Sequence, residues 1–317
     1  MSQKRILLIG QAYENLPNVF SENAEDVRDI TNYFSTNGVA VSVVPWEDIP
    51  LDSSQPIMAY DSETKLFRPT PLEGIDLVVL RQLGSGSINE NLGTLKRLFY
   101  YLQTLDVPTV NGPQTMLENV SKKYLLFLQE KGFPIPKSVS LLSEKEIRSF
   151  CGEQIRDGLE EVIKPLDGGE SGRGVEKVES RPVQIFLDTF ERYGSLLVQP
   201  YLKGVQNGEV SLVFLGDTFS HAVKKPLSGD IRVNYFPGKE YEHYVPTDEE
   251  VALGREIRAV WETPIDVMRL DLIHQEGKPQ IIEVELINPA IYERLEGIGS
   301  LFAKNLYNYL LETHLNG

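Results

Sequence analysis

The sequence predicts an α/β fold whose C-terminal half turns α+β. Three observations carry this. Early in the chain, short apolar runs alternate with segments whose apolar residues recur at helical spacing, as in a wound parallel sheet. From Glu209 the apolar period switches to two, which reads as an antiparallel hairpin. Two further strands follow a helix opened by the capping box Thr247-Asp-Glu-Glu250.

Arg5-Ile-Leu-Leu-Ile9-Gly10 is a buried strand ended by glycine. Val27, Ile30, Tyr33 and Phe34 lie on one helical face, and Gly38 stops that helix. Val39 to Val44 and Asp76 to Arg81 are strands, with a polar loop from Gln82 to Asn89 after the second. Leu92, Leu95, Leu98, Phe99 and Leu102 mark a helix, and Thr109-Val110 a short strand. Ligands of such sheets sit beyond the carboxyl ends of strands. Arg81 holds that position and is a candidate substrate contact, against the plainer reading of a solvated arginine.

Asn111-Gly-Pro113 breaks the pattern and marks the first boundary. A helix over 121–128 follows, then a rigid turn at Gly132-Phe-Pro134-Ile-Pro136, a strand over 137–140 and a helix from Ser143 to about Asp157. A helix over 183–193 leads to Leu196-Leu-Val-Gln199-Pro200-Tyr201, where proline removes a donor and makes a hinge. The hairpin spans 209–214 and 219–225, a polar loop runs over 226–245, and the last strands span 265–273 and 279–286. Gly297-Ile-Gly299 precedes a closing helix. The expected division is 1–112, 113–200 and 201–317.

Across its 317 residues the net charge is −15, which argues against nucleic-acid binding by counterion release. The single cysteine, Cys151, excludes an intrachain disulfide and fits a reducing compartment. No apolar run approaches a membrane span, and Ile6 to Ile9 is too short for a signal-peptide core, so a cytoplasmic protein without membrane partners is expected. The four histidines show no zinc-ligand spacing.

Chemistry concentrates in Lys164-Pro-Leu-Asp167-Gly168-Gly169-Glu-Ser-Gly172-Arg173-Gly174. An apolar run ends in a lysine, and a glycine loop follows whose free N–H groups can cradle an anion. The lysine precedes the glycines and no helix opens from them, so this is neither the common phosphate loop nor the dinucleotide fingerprint. Taken alone it also reads as a surface hairpin with a solvated lysine. Further on, Glu283 and Glu285 point to one face of a strand, and the turn Gln275-Glu-Gly-Lys278 lets the strand of Asp271 pair beside them. Three carboxylates on one face suit a hard divalent cation; the alternative is a solvated edge.

Taken in order, Lys123, Lys164, the glycine loop, Gln199-Pro-Tyr201, Glu209 and Asp271…Glu283-x-Glu285 resemble the ATP-grasp superfamily. The set is most similar to carboxylate–amine ligases of the bacterial glutathione synthetase and RimK-like type. The resemblance covers nearly the whole chain and implies an N-terminal wound α/β domain followed by a two-subdomain ATP-grasp fold. It implies that Lys123 and Lys164 contact ATP phosphates and that the loop with Gly168, Gly169, Gly172 and Gly174 closes over them. Gln199 and Tyr201 would face adenine chiefly through backbone groups, and Glu209 would hold the ribose. Arg232 and Asn234 would meet the transferred phosphoryl group and the acyl phosphate, with Lys164 and Arg232 catalytic. Asp271, Glu283 and Glu285 would bind Mg2+ (or Mn2+). The family ends in Glu-x-Asn; here Glu285 replaces the asparagine, or Asn288 takes its role.

The implied reaction activates a small-molecule carboxylate as an acyl phosphate and joins it to an amine. An ATP-grasp kinase and a non-catalytic nucleotide-binding protein are the alternatives. Such ligases are often dimers or tetramers, so the resemblance allows a homo-oligomer.

Overall fold

A computed structural model describes residues 3–10, 25–51, 57–64, 66–81, 92–153, 158–168, 172–226 and 241–315. Its first sheet is built on β1 (Arg5–Gly10), which pairs in parallel with β2 (Ala40–Pro45) and β5 (Leu77–Leu80). Alternate β1 residues face opposite cores, Ile6 and Leu8 on one side, Leu7 and Ile9 on the other. A strand apolar on both faces needs helices on both faces. Helices α1 (Glu25–Thr36) and α8 (Ile298–Leu310) cover one, through Val27, Ile30, Phe34, Phe302 and Leu306. Helix α2 (Leu92–Thr104) covers the other with Leu95, Leu98, Phe99 and Leu102. A helix from the chain's C-terminal end is therefore packed on its first sheet.

The sheet order is β4-β3-β2-β1-β5. The antiparallel hairpin of β3 (Ile57–Asp61) and β4 (Leu66–Thr70) goes beyond the sequence reading. Strand β4 carries Pro69 and is exposed at all but its last residue, so it has an edge strand's weak pattern. The expected strand at Thr109-Val110 is a single parallel bridge from Thr109 to Val78.

Asn111, at the expected boundary, is a bolt rather than a slack linker. Its Oδ1 accepts from the N–H groups of Asp266 and Val267, and its Nδ2 donates to the carbonyls of Val267 and Leu286. The side-chain amide is thereby fully used. Helix α3 (Pro113–Asn119) follows, with proline at its start where a missing N–H costs nothing.

The second sheet has the order β6-β9-β7-β8: β6 (Val139–Leu141), β9 (Leu196–Pro200), β7 (Glu160–Pro165) and β8 (Glu176–Glu179). Helices α5 (Glu144–Gly152) and α6 (Val183–Tyr193) cover it through Ile147, Phe150 and Phe186. The third sheet is antiparallel, β12-β11-β10-β13-β14. It comprises β10 (Glu209–Leu215), β11 (Thr218–Lys225), β12 (Glu242–His243), β13 (Val267–Gln275) and β14 (Lys278–Glu285). Helices α4 (Lys123–Glu130) and α7 (Asp248–Val260) pack against it through Tyr124, Leu125, Leu128, Leu253 and Ile257. The capping box at Thr247 and Glu250 forms as the sequence predicts.

Candidate active site

The site gathers where the end of β7 meets the charged residues of the third sheet. The segment before α4 is strapped to the exit of β7 by a short ladder. The Lys122 N–H donates to the Leu166 carbonyl at 2.7 Å, the Gly168 N–H to the Val120 carbonyl at 3.1 Å, and Ser121 bridges Asp167. The ladder turns Lys122 inward, where its ammonium donates to the Gly168 carbonyl. Lys123 is exposed at the first turn of α4. Lys122 is buried where it caps α4, so in this structure one lysine of the pair faces inward and the other faces solvent.

Lys164 stands beside Lys122 among acids. Burial depresses its pKa to about 8; Glu283, Glu209 and Asp271 oppose the shift and the like charge of Lys122 adds to it. An ammonium so placed is ready to gain a phosphate partner. Gly168, Gly172 and Gly174 all have positive φ, and Gly169 lies outside the described residues. At Gly174 a Cβ would lie 2.7 Å from both the Pro165 ring and the Tyr193 ring, so only glycine lets the loop re-enter β8 there.

On the facing sheet, register builds the acidic cluster. Glu209 lies opposite Lys225, and Asp271 opposite Glu283. Lys225 is ion-paired to Glu209, with its Nζ 3.7 Å from Asp271 Oδ2. Burial lifts Glu209 to about 7 even against that lysine. Burial would also lift Asp271, but Arg269 and Lys225 outweigh it and hold Asp271 at about 2. Ser211 Oγ donates to Asp271 Oδ1 at 2.5 Å and lies 3.0 Å from the Tyr292 hydroxyl. Glu285 Oε1 accepts from the N–H groups of Ile287 and Asn288 at 3.0 and 3.2 Å, so it also ties down the following turn. These all-oxygen donors match the chemistry of Mg2+. Among the described residues, however, no three acidic or imidazole groups converge closely enough to hold a metal as they stand.

The remaining candidates divide. Gln199 is buried and donates from Nε2 to Ser138 Oγ at 2.8 Å. The Tyr201 N–H is committed to the Glu160 carbonyl, and the Tyr201 ring carries Lys177 Nζ at 4.1 Å. Arg81 directly follows β5, at the strand's carboxyl end as expected, but is only 2% exposed. Its Nε and Nη2 donate to Asp26 Oδ2 at 2.9 and 2.7 Å, and its guanidinium lies 5.3 Å from the Phe302 ring centroid. It is thus not a solvated arginine. Arg232 and Asn234 lie outside the described residues.

Sequence reasoning passed over Lys122, Lys225, Arg269 and Tyr292. Lys225 and Arg269 had readable signals: one faces Glu209 across a hairpin, and the other shares the strand face of Asp271 at period two. Nothing local signals the non-local placement of Tyr292.

A family model for the ATP-grasp domain of prokaryotic glutathione synthetase matches residues 126–298. No curated protein matches the sequence. Among solved structures, D-cycloserine synthetase DcsG superposes with a TM-score of 0.74 at 18% identity, covering 96% of this chain and 99% of that one. A RimK domain ATP-grasp protein from Sphaerobacter thermophilus DSM 20745 gives 0.63 at 16% identity, covering 95% and 98%. D-alanine–D-alanine ligase from Bacillus anthracis, complexed with ATP, gives 0.62 at 15% identity, covering 100% and 98%. At these identities the likeness is one of fold. Among the described residues no helix is long and apolar enough to cross a membrane.

Proposed function

The chain belongs to the prokaryotic glutathione synthetase ATP-grasp family, and we infer that it is an ATP- and Mg2+-dependent ligase joining a small-molecule carboxylate to an amine. The observation that carries this reading is the meeting of Lys122 and Lys164, beside the glycine loop, with Glu209, Asp271 and Glu283 of the facing sheet. Cations for the phosphates and acids for a metal stand on the two sides of one site.

Lys122 and Lys164 bind and orient the triphosphate. The substrate carboxylate attacks the γ-phosphorus, ADP leaves, and a mixed acyl phosphate forms. The amine then attacks the acyl carbon, the C–O bond to phosphate breaks, and amide and inorganic phosphate result. Little covalent work falls to the protein, which contributes positioning and charge neutralisation. Asp271 and Glu283 would hold Mg2+, with Glu285 or Asn288 as third ligand; the ion would supply further neutralisation of phosphate charge. The glycine loop would keep water from the acyl phosphate. Arg232 and Asn234 would complete the phosphoryl end, Gln199 and Tyr201 the adenine end, and Glu209 the ribose. The three sequence divisions, 1–112, 113–200 and 201–317, would be the N-terminal Rossmann-like domain and the two ATP-grasp subdomains.

The test is release of ADP and phosphate from Mg2+-ATP against a panel of amino acids and short peptides, singly and in pairs, with product mass detected. The expected result is turnover that needs two substrates and a product mass equal to their sum less water. One substrate that gains a phosphoryl mass would make the protein a kinase instead. One that loses water would make it a ring-closing ligase.

A further inference from the structure

Arg269 has no part in the assignments above, yet it lies at the centre of the acidic cluster. Register sets Arg269 opposite Glu285 and Asp271 opposite Glu283. Opposed residues of an antiparallel pair share a face, as do alternate residues of one strand. The four side chains therefore form a square on one face of β13 and β14. Within it Arg269 Nε donates to Asp271 Oδ1 and Oδ2 at 3.0 and 3.1 Å, while Nη2 reaches Asp271 Oδ2 at 2.9 Å and Glu283 Oε2 at 3.2 Å. The acids that could converge on a metal converge on this guanidinium.

We propose that Arg269 is a built-in counter-ion: it occupies the divalent-metal position of the nucleotide-free protein and yields it only when nucleotide phosphates arrive. Metal binding then depends on nucleotide. The proposal rests on the ATP reading above. A guanidinium cannot leave by losing its proton. Its side chain is only 11% exposed, so swinging away without a new partner would leave a buried unpaired charge. Phosphate oxygens are the partner a guanidinium takes in bidentate fashion, and Lys122 and Lys164 would bring them to this face. Lys225 is a poorer candidate for the same exchange, because Glu209 already holds it. Glu285, opposite Arg269, adds the charge that an asparagine there would lack, so the square stays acidic when the arginine turns away.

The test is Mn2+ binding followed by electron paramagnetic resonance, on the whole protein with and without ADP. Wild type is expected to bind Mn2+ at least about tenfold more weakly without ADP than with it, within the range one such side chain exerts on a metal site. Arg269→Met should tighten nucleotide-free binding by about tenfold or more and reduce the ADP effect to below about threefold. Arg269→Lys, which keeps a cation, should retain the wild-type pattern. Tight Mn2+ binding by nucleotide-free wild type would overturn the proposal even if Arg269→Met failed to fold. So would an Arg269→Met protein that melts cooperatively and binds Mn2+ no better than wild type. Failure of wild type to bind ADP would instead overturn the ATP reading and the release step, while the nucleotide-free comparison would still decide whether Arg269 excludes metal.

Discussion

Two buried aspartates lie along β13, Asp266 just before it and Asp271 within it, and their surroundings differ in kind. Asp266, just before the strand, accepts from the Asn111 N–H at 2.7 Å, the Tyr309 hydroxyl at 2.7 Å and His314 Nε2 at 3.0 Å. These partners are short or ring-bound groups fixed by the backbone and by the C-terminal helix. Burial would raise the pKa of Asp266, but the bonds from His314, Tyr309 and Asn111 outweigh it and lower it. Asp271, inside the strand, is also lowered, but by Arg269 and Lys225, cations on long flexible stems. A carboxylate held by backbone and ring donors is a fixed joint. One held by long-stemmed cations can exchange them for a ligand. The first cluster ties the junction at Asn111 to the third sheet and the chain's end; the second faces the lysines beside the glycine loop.

Damage at the two clusters should therefore separate stability from activity. The largest effect is expected from Glu283→Gln, with ATP turnover falling by about 10²-fold or more. Its thermal midpoint should move little, because Glu283 is 32% exposed and its pairing with Arg269 is partly solvated. Asp266→Ala should do the reverse. It strands a buried N–H and a hydroxyl and should cost about 3 kcal/mol in denaturant unfolding, with ADP affinity intact. A D266A protein that keeps its stability but loses nucleotide binding would erase the distinction.

The lysine pair sharpens the comparison at the next scale. Lys122→Ala should weaken ADP binding about tenfold by calorimetry, and Lys123→Ala less than about twofold, as expected for one inward charge against one solvated charge. The smallest effect is a pH dependence. Lys164 titrates at about 8, below an ordinary lysine, because burial disfavours its charge. Its neutral form is favoured in the fold, so its stability contribution is full above the ordinary lysine range and is lost as pH falls through about 8. Phosphate binding needs the opposite, the charged form. ADP affinity should therefore drop a few-fold as pH rises past about 8, and Lys164→Arg should flatten that profile.

How much of this was legible in the sequence follows from how far each feature reaches along the chain. Strands buried on both faces, the capping box and the period-two hairpin are local patterns, and they appear with boundaries shifted by a residue or two. The β3–β4 hairpin has no legible pattern, because its outer strand is exposed and carries proline, which removes the alternation that marks a strand. The acids on β13 and β14 were found because side-chain period fixes their common face. The same period places Arg269, two residues before Asp271, on that face. Arg81 could be placed at its strand end, but its partner Asp26 lies on a helix brought beside it only by the fold. That Lys122 is buried and Lys123 exposed follows from the ladder to Leu166 and Gly168, again a non-local contact.

An acyl-phosphate ligase moves a carboxylate oxygen onto phosphate, and heavy-oxygen labelling reads that transfer. The accepting carboxylate is labelled with ¹⁸O and turned over with ATP and amine, and the released phosphate is weighed by mass spectrometry. One ¹⁸O is expected in the phosphate, because the carboxylate oxygen that takes the γ-phosphoryl group departs with it when the amine attacks. Amide product accompanied by unlabelled phosphate, with the lost heavy oxygen found elsewhere, would rule out the acyl phosphate.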